Sequence, residues 1–293
     1  MGRSEEARIF EEVLAAQASG PPVVLATVIQ APPDAATVTG AKLLLRRDGS
    51  TRGSLGGGPL EEAVLADARD AFHRRSVEAL AYAADGSRIS RREAESVGGG
   101  YQVMLERHEP AATLVIVGGG HIGKALATIA GLCGFSVVVI DDRPDYANQE
   151  RFPEAGRVVC GDFAEVLRGL PIDSNTYVVT VTRGHKHDEE SLRQVVGSPA
   201  AYVGMIGSKR RVAAVLQHLI DDGLDPEAVR RVHTPIGLDI GAETPEEIAV
   251  SIMAEVVQVR RGGSGRPMRE AKKARRGIAP SERVPPQAEG EEP

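Results

Sequence analysis

Three short strings in this chain concentrate residues that can hold or move charge. The first, TLVIVGGGHIGK, ends an apolar, β-branched run on Gly118, Gly120 and Gly123 in the spacing G-x-G-x-x-G. A strand that stops on such glycines and restarts as a helix makes a phosphate site. The first glycine allows the tight turn, the second leaves room for the ligand, the third lets helix and strand approach, and the helix N-terminus faces the anion. His121 stands inside this loop, either to donate to the ligand and gate its access or simply to cap the helix. Asp141 follows a second apolar run at the distance expected of a carboxylate that binds a ribose hydroxyl, and Arg143 would select a phosphorylated ribose or pair with Asp142.

The second string, RGHKHDEESL, puts Arg183, Gly184, His185 and Asp188 after a strand, where an open α/β sheet keeps its ligand crevice. His185 and Asp188 are therefore the candidate catalytic acid and base, although Asp188 fits equally as a helix cap and His185 as a plain loop residue. The third string, GMIGSKRR, sets Gly204, Gly207, Ser208 and Lys209 at another strand-to-helix turn, followed by Arg210 and Arg211. Cations at a helix start oppose the helix dipole unless an anion is present, which favours an oxyanion site there. A fourth glycine-rich approach, GSLGGGPLEE, carries Gly57, Gly58 and Glu61 ahead of a helix expected over 63–72, and reads as a second anion site or a plain turn. No further well-spaced ligand joins His185, His187 and Asp188, so no metal site is expected. Cys133 and Cys160 read as packing residues at a helix end and a strand end.

The elements that must position these strings fall into two units. Alternating strands and helices over 111–261 predict a Rossmann-like parallel sheet with helices on both faces. Before it, residues 1–107 predict a smaller α+β domain: a helix capped by Ser4, strands at Val23–Gln30 and Lys42–Arg46, an unstructured loop between them, and two further strands near 80–83 and 101–106. Residues 262–293 lack apolar periodicity and are expected to be a disordered tail.

Composition narrows the class of function. The 293 residues carry a formal charge of −6 and only 3% aromatic side chains, with no Trp, which gives neither a field nor a stacking platform for nucleic acid. No apolar run approaches a membrane span, and two cysteines make no disulfide framework, so a cytoplasmic protein is expected.

Set together, VGGGHIGKAL, VIDDRPDYANQERFPEA, TRGHKHDEESL, YVGMIGSKRR and PIGLDIGAETPEEIAVSIMAEV resemble, in order, the signatures of the xanthine dehydrogenase accessory protein family of XdhC/CoxI type. The resemblance runs nearly continuously from Leu114 to Val257, and 53–62 is similar to that family's glycine-rich N-terminal segment. It implies a maturation factor for molybdenum hydroxylases, a chaperone rather than a catalyst. Such a protein binds molybdenum cofactor (molybdopterin), protects it while a sulfur-donating enzyme installs the terminal sulfur, and delivers it to the hydroxylase apoenzyme. A homodimer is implied as well. The family loop that often reads G-G-C-x-E has Pro59 in place of the cysteine here, which removes a thiolate from that position. The competing reading is an NAD(P)-dependent oxidoreductase with Asp141 on the ribose and His185 as acid or base. A nucleotide-sensing scaffold without redox chemistry is a third.

Overall fold

A computed structural model describes residues 4–72, 77–96 and 99–270, without the side chains at 36, 37, 185 and 186. The first unit runs α1 (Glu5–Ala18), β1 (Val23–Gln30), β2 (Lys42–Arg46), β3 (Thr51–Gly53), α2 (Gly58–Ala71), β4 (Val77–Tyr82), β5 (Arg88–Ile89), α3 (Arg91–Ala94) and β6 (Tyr101–His108). Its strands form an antiparallel sheet in the order β3-β2-β1-β6-β4-β5. Alternation along β1 sorts the core. Val24, Ala26 and Val28 face α2 through Leu60, Val64 and Ala68, while Val23 and Leu25 face Ile9, Val13 and Ala16 of α1. Ser4 caps α1, as its position predicts, by accepting from the amide of Ala7.

The second unit runs β7 (Thr113–Val117), α4 (His121–Leu132), β8 (Ser136–Asp141), β9 (Arg157–Cys160), α5 (Phe163–Arg168), β10 (Thr176–Thr180), α6 (His185–Val195), β11 (Tyr202–Met205), α7 (Lys209–Asp221), α8 (Pro226–Arg230) and α9 (Pro245–Arg261). The five strands are parallel in the order β11-β10-β7-β8-β9. Every strand therefore ends on the same edge, and the chain reverses its direction of growth between β7 and β10. That is the switch point at which open α/β sheets bind ligands. Leu114 and Ile116 of β7 bury against α4 and α9, whereas Val115 and Val117 bury against the side of α5, α6 and α7. Helices on both faces explain why these strands read as continuous apolar runs.

Several local expectations needed correction. Residues Pro33–Val38 form a 3₁₀ helix rather than an unstructured loop, because Ala35 donates to the carbonyl of Pro32 and Ala41 to that of Val38. Helix α2 begins at Gly58 rather than 63, since Pro59 is compatible with a first turn. Helix α6 begins at His185 with Gly184 as its cap, so Asp188 lies inside the helix and does not cap it. Both cysteines are exposed rather than packed. Of the tail expected to be disordered, 271–293 lie outside the described residues. No helix among the described residues is long and apolar enough to cross a membrane.

Ile252 on α9 is fully buried in the layer that α9 shares with α4. Ile252→Ala should cost roughly 2–5 kcal/mol, read as a lower urea midpoint, because the rigid layer cannot close on the vacated volume.

Candidate functional site

The crevice is built on a buried carboxylate. Asp141 ends β8 at 1% exposure, and its Oδ2 accepts from the Gly119 amide at 2.8 Å. Arg143 donates from Nε to Oδ1 at 2.8 Å and from Nη2 to Oδ2 at 3.0 Å, while its own amide donates to Oδ1 at 3.1 Å. Burial alone raises the Asp141 pKa, but the Arg143 fork and the two amides outweigh it and hold the group below the usual carboxylate range. All four acceptor positions of the carboxylate are thereby used. Arg143 pairs with Asp141 rather than chiefly with Asp142, from which its Nε stands 3.8 Å away, and it stacks on Tyr146 at 3.6 Å. A second arginine, Arg151, donates from Nε to the Gly119 carbonyl at 3.0 Å.

The glycines of the loop have different neighbours. A Cβ on Gly118 would lie 2.6 Å from the Val181 carbonyl oxygen, one on Gly119 2.1 Å from that of Tyr146, and one on Gly123 2.0 Å from that of Gly118. These three are filled by the protein itself. Gly120 has nothing within 4 Å of its Cβ position, and it is the cap residue of α4 with no side chain capping the helix. The α4 N-terminus has no acidic residue in its first turn and presents amides without intrahelical acceptors next to open space. His121 is exposed, and with Lys124, Ala125, Ile129 and Val250 it borders a mainly apolar groove of ≈ 700 Å³ between α4 and α9.

The loop after β10 closes the other side. Arg183 donates from Nη2 to Oδ2 of Asp142 at 2.8 Å, which ties the end of β10 to the end of β8 across the intervening end of β7. The other Asp142 oxygen, Oδ1, is buried without a hydrogen-bond partner. Asp188 is 3% exposed and accepts from the Thr182 hydroxyl at 2.6 Å and the Thr182 amide at 3.3 Å. Desolvation is the main cause that pushes its pKa up to about 6, against those two bonds and the charges of Arg211 and His187. Asp188 thus shapes the loop from beneath. His187 lies edge-on to Phe163 at 5.3 Å, and the His185 side chain lies outside the described residues.

At the third turn Ser208 caps α7 by accepting from the Arg211 amide at 3.5 Å, leaving Lys209 and Arg210 exposed on the first turn. Gly204 is a packing residue, since a Cβ there would lie 2.5 Å from Ile236 and 2.7 Å from Tyr202. Gly207 is closed in by Val212 at 3.1 Å. Beneath them Glu255 accepts from the Tyr202 hydroxyl at 2.5 Å and from the Gly237 amide at 2.9 Å, and stands 3.4 Å from His233 Nδ1. This network anchors the segment after β11. It escapes a sequence reading because its members are dispersed over more than fifty positions. The pairing of Thr182 with Asp188 and of Asp142 with Arg183 escapes it too, although all four residues lie within the quoted strings.

The N-terminal glycine-rich approach belongs to the first unit, and its amides are satisfied from within. Oε2 of Glu61 accepts from the Ser54 hydroxyl at 2.6 Å, the Leu55 amide at 2.7 Å and the Gly57 amide at 3.1 Å. Burial raises the Glu61 pKa, but these three donors outweigh it and lower it overall. Gly57 and Gly58 adopt φ of 74° and 72° and face open space.

Comparison with known proteins agrees with this layout. Residues 114–256 match the XdhC Rossmann domain and residues 16–83 match the XdhC and CoxI family, together most of the chain. The chain belongs to the XdhC and CoxI family. Among relatives of this XdhC chain, the uncharacterized protein YqeB of Escherichia coli is 33% identical over 230 residues, 77% of this chain and 41% of that protein. A probable xanthine dehydrogenase subunit of Bacillus subtilis is 33% identical over 159 residues, 54% of this chain and 46% of that protein. The chain spans less than half the length of either relative. A crystal structure described as a xanthine dehydrogenase from Bacillus halodurans superposes with a TM-score of 0.50 at 22% identity, covering 89% of this chain and 96% of that one, which shows a shared fold.

Two measurements probe this geometry. Gly123→Ala should lose about 1–3 kcal/mol by forcing Cβ into a backbone carbonyl, whereas Gly120→Ala should unfold within about 0.5 kcal/mol of the parent. For Asp188, a folded pKa above the unfolded 3.8 means that the protein binds the extra proton in the folded state. That stabilising contribution is complete below pH 3.8 and is lost as pH rises through about 6. Asp188→Asn should therefore abolish a stability loss of up to about 3 kcal/mol between pH 4 and 7, measured as the difference in denaturant midpoints.

Proposed function

We propose that this XdhC-family chain serves xanthine dehydrogenase maturation by binding the molybdenum cofactor and delivering it to the hydroxylase apoenzyme. The observation that carries the reading is Gly120. In a loop whose other glycines are packed against the protein, it alone faces open space, at an uncapped helix N-terminus on the switch-point edge. Such a position fits the phosphate or diphosphate of a pterin cofactor. The amides of the α4 first turn would hold that group, with His121, Arg183 and Lys209 as surrounding donors, and the groove beside α4 suits the less polar body of the ligand. The bound cofactor would supply the molybdenum centre, which is the client enzyme's chemistry and not this chain's. Here the side chains position and shield: Thr182 and Asp188 fix the β10 loop, and Asp141 with Arg143 fixes the glycine loop.

The NAD(P) oxidoreductase alternative requires a carboxylate on a ribose hydroxyl. Asp141 is the residue at that position, and its acceptor sites are taken by Gly119 and Arg143. That arrangement weighs toward the chaperone. Pro59 replaces the loop thiol, which favours a separate donor enzyme for the sulfur.

Gel filtration after incubation with molybdopterin cofactor, and separately with NADH and NADPH, distinguishes the readings. Co-elution of the pterin near one equivalent is expected, with Lys209→Ala weakening retention roughly tenfold as a charge-assisted bond is lost. Stoichiometric NADP(H) binding with substrate-dependent oxidation, and no pterin retention, would overturn the proposal.

A further inference from the structure

A second basic site lies away from the crevice, where the two sheets meet. A cleft of ≈ 350 Å³ is bordered by Arg47, Arg107 and Glu109 from the first unit and its connection, and by Ser174, Tyr177 and Arg260 from the second. Arg107 is the most enclosed of these, with a side chain only 9% exposed. Its Nη1 donates to the Phe72 carbonyl at 2.7 Å and its Nη2 meets Glu109 at 2.9 Å, but its Nε is buried without a partner. Arg260 repeats the pattern from α9: its guanidinium lies over the Phe135 ring at 4.5 Å, and its Nε is also buried and unpartnered. Among the described residues Arg260 has no ion pair.

These contacts leave a charge imbalance. Three arginines border the cleft with a single carboxylate, and Glu109 is engaged by Arg107. Burial first, and then the like charge of Arg261 with a smaller share from Arg107, lower the pKa of Arg260 against the opposing influence of Tyr177 and Glu109, so this partly buried cation is only partly compensated. Incompletely compensated positive charge in a part-buried cleft carries a free-energy cost that a fitted anion reduces. A guanidinium fork is also the group best matched to planar or tetrahedral oxyanions.

We infer that this cleft is a binding site for a compact multivalent oxyanion, phosphoryl or carboxylate, held between Arg107 and Arg260 with Arg47 at its mouth. Because Arg107 belongs to β6 and Arg260 to α9, a bound anion bridges the two units and fixes their relative placement. The site is independent of the crevice after β7 and of the cofactor assigned to it.

Calorimetric titrations with inorganic phosphate, pyrophosphate and citrate, at constant ionic strength set with chloride, test the inference. The parent chain is expected to bind at least one of the three with one equivalent at this cleft. Arg260→Gln should weaken that equivalent roughly tenfold or more, the loss of a charged hydrogen-bonding partner. Arg47→Gln, at an exposed position that leaves folding intact, should weaken it to a smaller degree. Lys209→Ala should retain it, which separates this site from the crevice. Preference for phosphate and pyrophosphate assigns a phosphoryl ligand, and preference for citrate a carboxylate. Absence of binding beyond chloride for all three anions, or affinities unchanged in both arginine variants, would overturn the inference.

Discussion

The ionised carboxylate of Asp141 is the constraint on which the crevice depends. An unpaired carboxylate buried to this degree would protonate or drag water into the sheet edge. It stays charged because the Arg143 fork and two amides converge on it, and each partner is then fixed by the same bond. Gly119 is held against β8, and Arg143 is placed over Tyr146, whose carbonyl in turn excludes any side chain at Gly119. The glycine loop is thus shaped from within by a charge. In many dinucleotide sites the corresponding carboxylate reads the ligand; here it maintains the receptacle.

The same solution recurs at two other loops. Glu61 satisfies the amides of the N-terminal glycine segment, and Asp188 satisfies Thr182 below the β10 loop. The outcomes differ in electrostatics. Glu61 and Asp141 gather enough donors to stay strongly acidic, whereas Asp188, with one residue donating and little solvent, is pushed up to about 6. The α4 and α6 N-termini lack a capping side chain, and α7 carries three cations in its first turn, so the crevice edge as a whole favours negative charge in whatever it holds.

Much of this fold was legible in the chain, for identifiable reasons. Parallel strands buried on both faces leave unbroken apolar runs, so β7, β8 and β10 were legible as runs at 113–117, 137–140 and 177–182, within two residues of their observed bounds at 113–117, 136–141 and 176–180. The G-x-G-x-x-G spacing is imposed by close approach, and the contacts of Gly118 and Gly123 are that approach measured. What escaped depends on partners distant in sequence. The pairing of Arg143 with Asp141 rather than Asp142 is a choice of rotamer. The filling of the N-terminal loop by Glu61 requires α2 to begin five residues earlier than its apolar periodicity suggests. The strands β3 and β5 are three and two residues long, too short to show a period, and exist because β2 and β4 offer them an edge. The Arg107 and Arg260 cleft brings together positions more than 150 residues apart, which no local pattern announces.

The bond from Arg183 to Asp142 spans the end of β7 like a cord tied across a doorway. Both side chains are partly in water, 45% and 29% exposed, and a pair so placed is worth at most about 1 kcal/mol. An anion brought to Arg183 would have to compete with Asp142, exchanging one counter-ion for another, and its departure would restore the first. No rigid door has to swing. Were the chain a carrier as proposed, such a swap of counter-ions would leave little free energy between its loaded and empty states, and the direction of transfer would be set by the receiving protein.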